Sequence, residues 1–403
     1  MKKIDEEKIV EDLLGRSTDK IYPSKEAFRQ ALLKGRLIVY HGVDPTGPHL
    51  HLGHLTNFLL LKQFQDLGHK IILLVGDFTA RIGDPTDKTA ARKPLTKKEV
   101  AINLKTFKIQ VQKILSFSGK NPARIVFNSK WHEKLGFSQI LELASHFTVQ
   151  QMLERDMFEK RLKEEKPIGL HEFFYPLMQG YDSVALNVDL EVGGTDQTFN
   201  MLMGRDLMKI YRNKNKFVVT TKLLVNPKTG EKLMNKSEGG MINLDDTAPQ
   251  MFGKIMALTD ESMFEVARFS SLMPINEIDE LNKGIKDGLN PRDVKLKIAE
   301  VVVEGVFGKI LASKAREDFL NLFSKKEIPS DAPILKLKNK NISVVDLVFQ
   351  SGVVKSKSEA WRLIEQGAFS MNGEVYKNPK ESLILDGGEN LKIGKKSFFR
   401  VKI

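Results

Sequence analysis

The feature that most constrains the fold of this 403-residue chain is a strand–helix–strand pattern between residues 36 and 78. "RLIVYHGVD" is a short apolar run, "HLGHLTNFLLLKQFQDLG" has leucines at helical spacing and ends on Gly68, and "KIILLVGDF" is a second apolar run. A glycine commonly ends a helix. Continuously apolar strands on both sides of a helix are typical of parallel sheets, which are covered on both faces. The pattern therefore predicts an α/β domain with a parallel sheet.

The rest of the chain divides into segments of different character. "LNVDLEVGGTDQTFNMLMGRDLM" predicts another strand, a glycine loop and a helix, whereas residues 246–325 have helical spacing throughout. Residues 326–340 are polar, with prolines and lysines, and indicate a linker. Residues 341–403 combine two short helices with strands broken by glycine turns. The predicted domains are therefore 1–245, 246–325 and 341–403.

Composition excludes several classes of protein. The chain has no cysteine, which excludes disulfides, zinc–thiolate sites and cysteine nucleophiles. No apolar run reaches the roughly 18 residues of a membrane helix, and "MKKIDEEKIVEDLL" lacks the apolar core of a signal peptide. We therefore expect a cytoplasmic protein without membrane association. The formal net charge of +12 is typical of a protein with a polyanionic partner such as nucleic acid, and a basic protein without such a partner is the equal alternative.

Four of the eight histidines lie within "YHGVDPTGPHLHLGHL", residues 40–55. His51 and His54 are three residues apart, so they share one face at the start of the predicted helix. Helix N-termini attract phosphate through free N–H groups and positive potential, and imidazoles add donors. A metal site would need further ligands, for which Asp44 and His49 are nearby. We favour a phosphate contact and expect no metal; metal binding and a purely structural role are the alternatives.

A polar stripe runs through the apolar segment "FFYPLMQGYDSVAL". Tyr175, Gln179 and Asp182 are spaced four and three residues apart and share one helix face. Buried polar groups cost free energy unless they meet partners. A bound amino acid would supply partners, and a hydrogen-bonded core network is the alternative.

Two separated motifs carry a resemblance to a known family. "HLGH" resembles the HIGH signature of class I aminoacyl-tRNA synthetases, and "KLMNKSEGG" at residues 232–240 resembles their second signature, KMSKS. "YHGVDPTGPHLHLGH", "GDFTARIGDPTDKTAAR", "YPLMQGYDSVAL" and "GGTDQTFN" resemble the tyrosyl enzymes among them. "SGVVKSKSEAWRLIEQGAFSMNGE" resembles the S4 RNA-binding module of the bacterial tyrosyl enzymes. The resemblance covers essentially the whole chain.

The resemblance implies both an architecture and a reaction. It implies a Rossmann-type catalytic domain with a helical dimer-interface insertion near 130–180, a helical anticodon-binding domain, an S4-like RNA-binding domain and a homodimer. The implied enzyme activates L-tyrosine with ATP and Mg²⁺ to tyrosyl-adenylate, releasing pyrophosphate. It then transfers the tyrosyl group to the 3′-terminal adenosine of tRNA(Tyr). ATP is a substrate here, and no structural metal is expected.

The resemblance also assigns roles to individual residues. Catalytic contacts fall on Thr46, His51, His54, Lys88, Arg92, Lys236 and Ser237. ATP contacts fall on Gly42, Asp44, His51, His54, Gly193, Asp196 and Lys236. Tyrosine contacts fall on Tyr40 and Asp182 at the phenol hydroxyl, on Asp84, Tyr175 and Gln179 at the ammonium, and on Gln197. In the S4-like segment, "KSKSEAWR" places Lys355, Lys357 and Arg362 on or beside a helix, where cations suit RNA phosphate contacts; a solvated basic face is the alternative.

Some positions depart from the family pattern. Leu233 stands where the first lysine of the second signature is expected, with Lys232 one residue earlier. Glu191 stands where some members have glutamine, and Thr198 and Phe199 where many have tryptophan and glycine. Three competing interpretations are a tryptophanyl enzyme, a small-molecule adenylyltransferase and a non-catalytic RNA-binding protein on a synthetase scaffold.

Overall fold

The computed structural model describes residues 3–84, 95–234, 240–324, 332–337, 339–394 and 397–403. The helices are α1 (Lys3–Gly15), α2 (Lys25–Lys34), α3 (Leu52–Asp66), α4 (Lys97–Leu104), α5 (Phe107–Val111), α6 (Ser129–His132), α7 (Phe137–Ser145), α8 (Val149–Leu153), α9 (Asp156–Lys163), α10 (Phe174–Leu186), α11 (Thr198–Arg212), α12 (Ala248–Met256), α13 (Asp260–Phe269), α14 (Ile275–Lys286), α15 (Pro291–Phe307), α16 (Lys309–Ser324), α17 (Val344–Gln350) and α18 (Lys357–Glu365). The strands are β1 (Thr18–Tyr22), β2 (Ile38–Val43), β3 (Lys70–Val75), β4 (Arg124–Phe127), β5 (Leu190–Gly194), β6 (Phe217–Thr221), β7 (Ile334–Lys336), β8 (Asn341–Ser343), β9 (Phe369–Met371), β10 (Glu374–Val375), β11 (Ser382–Ile384), β12 (Asn390–Ile393) and β13 (Ser397–Lys402).

The chain forms two compact units. The first comprises Met1–Asp246 and Leu258–Val306, and the second comprises Thr247–Ala257 and Phe307–Ile403. The segment predicted as one helical domain, 246–325, therefore contributes to both units. The boundaries drawn from the sequence stay predictions.

The first unit is built on a six-stranded sheet in the order β1-β6-β5-β2-β3-β4. The five strands from β6 to β4 are parallel, and β1 is antiparallel at the edge. The parallel α/β prediction is confirmed. The sequence pattern did not indicate β1, which is polar in "TDKIY", or β4, which is only four residues long. Short strands at the edges of a sheet carry little hydrophobic pattern.

The order of the strands creates the position of a binding site. From β2 the chain proceeds outward to β3 and β4, then returns to β5 on the other side of β2. Ligands of open parallel sheets bind at such a reversal, outside the carboxyl ends of the two strands. The residues that follow Val43 and Gly194, where β2 and β5 end, therefore border the expected site.

Helix α10, which carries the polar stripe, is held closely against α11. Leu177 and Val184 of α10 share a buried cluster with Met203 and Leu207 of α11. A Cβ on Gly180 would lie 2.9 Å from the Leu207 side chain, so a larger residue there would force the helices apart. The close packing fixes α10 and turns the other face of the helix towards the sheet.

The second unit contains the C-terminal sheet, in the order β10-β9-β12-β13-β7, and the pair β11-β8. Helices α17 and α18 supply apolar residues to its core, which includes Leu347, Ile364, Phe369 and Leu391. In the same unit α12 packs on α16, with the ring centroids of Phe252 and Phe319 5.4 Å apart. In the part of the chain that the structure describes, no helix has both the length and the apolar character to cross a membrane.

Candidate active site

A cleft of about 400 Å³ opens at the carboxyl ends of β2 and β5, where the reversal of strand order placed it. Its size is that of a small-molecule site. The predicted residues that line it are Tyr40, Gly42, Asp44, Thr46, His51, His54, Asp84, Tyr175, Gln179, Asp182, Gly193, Asp196 and Gln197. They comprise every predicted catalytic, ATP-binding and tyrosine-binding residue within the described ranges.

Four predicted residues cannot be placed in this cleft. Lys88 and Arg92 fall in the gap between residues 84 and 95, and Lys236 and Ser237 fall in the gap between 234 and 240. They lie outside the described residues, and their roles stay predictions.

The mouth of the cleft, defined here as Thr46, His51, His54 and Lys232, is organised by the start of α3. His51 is the N-cap residue, and its Nδ1 accepts a hydrogen bond from the backbone N–H of Gly53 at 3.2 Å. The Nδ1 of His54 accepts from the backbone N–H of His51, also at 3.2 Å. A neutral imidazole whose Nδ1 accepts carries its proton on Nε2. Each ring therefore caps the helix and retains an Nε2–H donor.

Both histidines are held in the neutral form. Burial, followed by the positive charge of Lys232, lowers the pKa of His51 to about 4. Burial, followed by His51, lowers the pKa of His54 well below its ordinary value. Among the described residues, no group of three or more His, Asp or Glu side chains is arranged to hold a metal ion. The Nε2–H donors suit a phosphate oxygen. The same two histidines cap the helix, so they also have the structural role that was given as an alternative.

Asp44 lies between two donors beneath the mouth. Its carboxylate accepts from the Thr79 hydroxyl at 2.7 Å and from the Tyr175 hydroxyl at 2.9 Å. Burial raises its pKa to about 7, against the effect of these two hydrogen bonds. A Cβ on Gly76 would lie 1.9 Å from Asp44 Oδ1, so only glycine fits there. Gly76 and Thr79 lie within the quoted "GDFTAR" motif, but the sequence analysis gave them no role.

The floor of the cleft, defined here as Tyr40, Asp182, Ser183, Glu191 and Lys216, is fully buried. The Tyr40 and Ser183 hydroxyl oxygens are 2.9 Å apart and hydrogen-bonded. Lys216 lies in none of the quoted motifs, and Ser183, although it lies within "YPLMQGYDSVAL", was given no role. Their signal is only visible in three dimensions.

Asp182 accepts hydrogen bonds from three side chains of one segment. Trp131 Nε1 and His132 Nε2 each lie 2.7 Å from Oδ1, and Asn128 Nδ2 lies 3.2 Å from Oδ2. Burial raises the pKa of Asp182, and these partners oppose the rise. The three donors hold the carboxylate in one orientation. They follow β4, which the sequence did not reveal, so they were missed.

The residues predicted to bind the substrate ammonium also form hydrogen bonds and an ion pair within the protein. Asp84 Oδ1 is 3.1 Å from Arg155 Nη2, and Asp84 Oδ2 accepts from Gln197 Nε2 at 2.6 Å. The Tyr175 hydroxyl points to Asp44. The hydrogen-bonded network offered as the alternative to a substrate site is therefore present, and it borders an open cleft rather than a closed core.

Leu233, which departs from the second signature, and the preceding Lys232 lie in different environments. Lys232 lines the cleft, and its Nζ is 2.9 Å from Asp196 Oδ2. Leu233 is buried. The side chain at the departing position thus faces the core, and its neighbour places a cation at the mouth.

The predicted RNA-binding residues lie in the second unit, around α18. Lys355 and Arg362 are exposed, whereas the Lys357 ammonium is 2.6 Å from an oxygen of Asp346. A hydrogen bond from Lys357 lowers the pKa of Asp346. Within the described part of the chain, Lys355 and Arg362 therefore lie at the surface without an ion pair of the kind that Lys357 forms with Asp346.

Comparisons with known proteins agree with the geometry. Residues 33–324 match the family described as tRNA synthetases class I (W and Y), and residues 344–383 match the S4 domain. The tyrosine–tRNA ligase of Francisella tularensis is 42% identical over 97% of this chain and 98% of its own length. That of Thermotoga maritima is 40% identical over 96% of each.

Two solved structures are similar in fold. A truncated mitochondrial tyrosyl-tRNA synthetase of Coccidioides posadasii, 25% identical, covers 77% of this chain and 91% of its own with a TM-score of 0.62. The tyrosyl-tRNA synthetase of Archaeoglobus fulgidus complexed with L-tyrosine, 23% identical, covers 77% and 99% with a TM-score of 0.58.

Proposed function

This chain belongs to the tyrosine–tRNA ligase family of class I tRNA synthetases, and we propose that its cleft activates L-tyrosine with ATP and passes the tyrosyl group to tRNA(Tyr). One observation carries the proposal. The helix-capping histidines at the mouth and the Tyr40–Asp182 pair at the floor line one cleft. A phosphate-binding end and a phenol-binding end therefore face the same ligand space.

The mouth acts on the triphosphate. In this proposal the Nε2–H groups of His51 and His54, with the Thr46 hydroxyl, donate to phosphate oxygens as the tyrosine carboxylate attacks the α-phosphorus and pyrophosphate leaves. Neutral donors fixed by a helix need no rearrangement as charge develops, which favours the transition state. Gly42, Asp44, Gly193 and Asp196 border the nucleotide, and Mg²⁺ enters with ATP.

The floor and the adjoining stripe select tyrosine. Tyr40 and Asp182 form hydrogen bonds with the hydroxyl of the substrate tyrosine. Gln179 accepts a hydrogen bond from the ammonium group of the substrate, and Asp84, Tyr175 and Gln197 lie beside that group. A ligand without the hydroxyl would leave these buried groups unpaired, which costs more than a missing surface contact. Selectivity follows from the protein's own desolvated groups.

Further cations complete the pyrophosphate site. Lys88, Arg92 and Lys236 hold this role through their positions in the motifs, and Ser237 accompanies Lys236. Lys232 supplies the second cation of the signature loop in place of the lysine missing at Leu233. Its place beside Asp196 at the mouth supports that role.

The proposal is tested by amino-acid-dependent ATP–pyrophosphate exchange, run with tyrosine, with tryptophan and with no amino acid. Exchange that depends on tyrosine and on added Mg²⁺ is the expected result. Exchange with tryptophan instead would assign the chain to the tryptophan branch. The absence of exchange with either amino acid would favour a non-catalytic RNA-binding protein.

The second unit binds tRNA through phosphate contacts. Lys355 and Arg362 supply exposed cations on the S4 domain, and Lys357 joins them if it exchanges Asp346 for a phosphate. Replacing Lys355 and Arg362 by glutamate should reduce tRNA charging and lower the salt dependence by about one unit of slope per lost contact, with exchange unchanged. An unchanged salt slope would remove these residues from the interface.

The enzyme works as a cytoplasmic homodimer in this proposal. Five exposed apolar residues within 130–180 support such an interface: Phe137, Leu141, Val149, Leu162 and Leu170. Exposed apolar residues grouped on one segment are typical of protein interfaces. Sedimentation equilibrium should give a dimer, and Phe137→Asp with Leu141→Asp should shift it towards monomer.

A further inference from the structure

A buried ion pair lies behind the proposed tyrosine pocket, and the mechanism above does not use it. Lys216 Nζ contacts the Glu191 carboxylate, and both side chains are almost completely buried. Such pairs often contribute little net stability compared with apolar residues of similar volume. The location of the pair is therefore more informative than its strength.

The sheet places this pair beside Tyr40 within the floor. Tyr40 of β2 is the register partner of Glu191 of β5, and Lys216 immediately precedes β6, which pairs with β5. A Cβ on Gly204 would lie 2.6 Å from Lys216 Nζ. The glycine thus leaves the space that the ammonium group occupies.

At the ammonium end, Glu191 determines how the Gln179 amide is turned. Gln179 Nε2 donates to Glu191 Oε1 at 3.2 Å, and Asn200 Nδ2 donates to Gln179 Oε1 at 2.8 Å. A carboxylate can only accept, so the amide must direct its NH₂ group towards Glu191. Its oxygen then keeps one lone pair beyond the bond from Asn200. A substrate ammonium, which can only donate, needs an acceptor of this kind.

The hydrogen bonds continue along a row of amides that runs from Gln179 through Asn200 to Gln197. Asn200 Nδ2 also donates to Gln197 Oε1 at 3.0 Å, and Gln197 Nε2 donates to Asp84 Oδ2 at 2.6 Å. Carboxylates stand at both ends of the row, and Asn200 donates in both directions from its centre. Each glutamine amide consequently has one orientation that satisfies the network.

At the phenol end, Lys216 reaches Tyr40 through a serine. Lys216 Nζ donates to Ser183 Oγ at 2.8 Å, and Ser183 Oγ is 2.9 Å from the Tyr40 hydroxyl oxygen. One ammonium group therefore anchors both the carboxylate that orients Gln179 and the hydroxyl that holds Tyr40.

We infer that the Lys216–Glu191 pair is a positioning device that fixes both ends of the tyrosine pocket, the Gln179 oxygen for the ammonium and the Tyr40 phenol for the substrate hydroxyl. The inference rests on the proposed function, since it assigns the pocket to tyrosine. A glutamine at position 191 would offer Gln179 either an oxygen or an NH₂ group. The carboxylate removes that choice, and Lys216 balances its charge.

The test uses a neutral double variant, Glu191→Gln with Lys216→Met, in the full chain. Calorimetric titration measures the Kd of L-tyrosine, of L-phenylalanine, which lacks the hydroxyl, and of 3-(4-hydroxyphenyl)propionic acid, which lacks the ammonium. Tyrosine should bind about tenfold more weakly, as expected for misplaced hydrogen bonds to a charged group. Both analogue-to-tyrosine Kd ratios should fall about three- to tenfold, and the KM for ATP should not change.

A matched control removes another buried cation with its carboxylate. Arg16 is buried and paired with Asp12 at 2.8 Å, and neither residue lines the cleft. Asp12→Asn with Arg16→Met should leave both Kd ratios at the wild-type value. A folded Glu191→Gln/Lys216→Met variant with wild-type ratios would overturn the inference.

Two single variants separate the contacts that lead to Gln179 from those that lead to Tyr40. They also test the inference if the double variant does not fold. Ser183→Ala should lower the phenylalanine ratio more than the other ratio, because Ser183 bonds the Tyr40 hydroxyl at 2.9 Å and donates to Glu191 Oε2 only at 3.4 Å. Asn200→Leu should lower only the ratio for the ligand without an ammonium. Equal effects of each variant on both ratios would contradict the two-armed arrangement. A wild-type protein that does not bind tyrosine would refute the proposed function together with this inference.

Discussion

The mouth and the floor of the cleft are built from opposite kinds of group. The mouth uses neutral imidazoles fixed by backbone N–H groups of one helix, with Lys232 half-exposed beside them. The floor uses fully buried hydroxyl, carboxyl and ammonium groups, each fixed by other side chains from distant segments. Three of the four mouth residues lie between positions 46 and 54 and are at least partly exposed, whereas the floor is buried and is assembled from β2, α10, β5 and the residue before β6.

The difference matches two tasks that a ligase of this family must perform. Stabilising a leaving pyrophosphate requires donors that are in place before charge develops and that a large anion can reach. Distinguishing tyrosine from phenylalanine requires buried partners that are left unpaired by the wrong ligand. The mouth should therefore control the rate of tyrosine activation, and the floor should control the selectivity for tyrosine over phenylalanine.

The largest expected effect concerns the mouth. His51→Ala removes a donor to the leaving group, so kcat for tyrosine-dependent exchange should fall about 10²–10³-fold, with the KM for tyrosine nearly unchanged. The matched control is His49→Ala. His49 lies on the same loop, is half-exposed, and pairs with Asp245 at 2.6 Å, so its replacement should leave kcat unchanged. A His51→Ala enzyme with normal kcat and weakened tyrosine binding would reverse the assignment of the two ends.

A smaller effect is expected at the floor. Tyr40→Phe removes one partner of the substrate hydroxyl, so the preference for tyrosine over phenylalanine, as a ratio of kcat/KM values, should fall about tenfold. Tyr211→Phe is the control, because the Tyr211 hydroxyl bonds Glu142 at 3.3 Å outside the cleft. If the preference is the same in Tyr40→Phe as in wild type, the floor does not read the hydroxyl through Tyr40.

The smallest effect is a change of stability with pH. The pKa of His51 is lowered to about 4, mainly by burial, from an unfolded value near 6.5. Neutral His51 therefore contributes stability above about pH 6.5, and this contribution is lost as the pH falls towards 4. Asparagine can cap the helix without titrating. Between pH 7 and pH 5 the thermal midpoint of wild type should fall about 2–4 °C further than that of His51→Asn; parallel falls would indicate an ordinary histidine pKa.

The contrast between mouth and floor also explains how much the sequence could predict. The strand, helix and strand around His51 were predicted from periodicity, and the capping position of His51 follows from its place at the start of α3. The polar stripe on α10 was visible because its members are four and three residues apart. Every described member of the predicted catalytic and ligand-binding set lines the cleft, and the family assignment is confirmed.

The partners of these residues were not visible in the sequence. Asn128, Trp131 and His132 lie some fifty residues from Asp182 in the chain, and Lys216 lies 25 residues from Glu191. No local spacing links such groups, because they meet only when β4, β5 and β6 take their places in the sheet. Glu191 was noted in the sequence as a departure from the family pattern, and its buried partner in the structure is Lys216.

The most direct test of the division between mouth and floor is rapid-quench measurement of tyrosyl-adenylate formation over a range of tyrosine and phenylalanine concentrations. One experiment gives both the Kd of each amino acid and the rate constant for adenylation in wild type, His51→Ala and Tyr40→Phe. We expect His51→Ala to lower the rate constant while the Kd of tyrosine stays within about twofold, and Tyr40→Phe to narrow the difference between the two amino acids in Kd and rate constant. A Tyr40→Phe enzyme with unchanged discrimination, together with a His51→Ala enzyme whose defect lies in tyrosine Kd, would contradict this division.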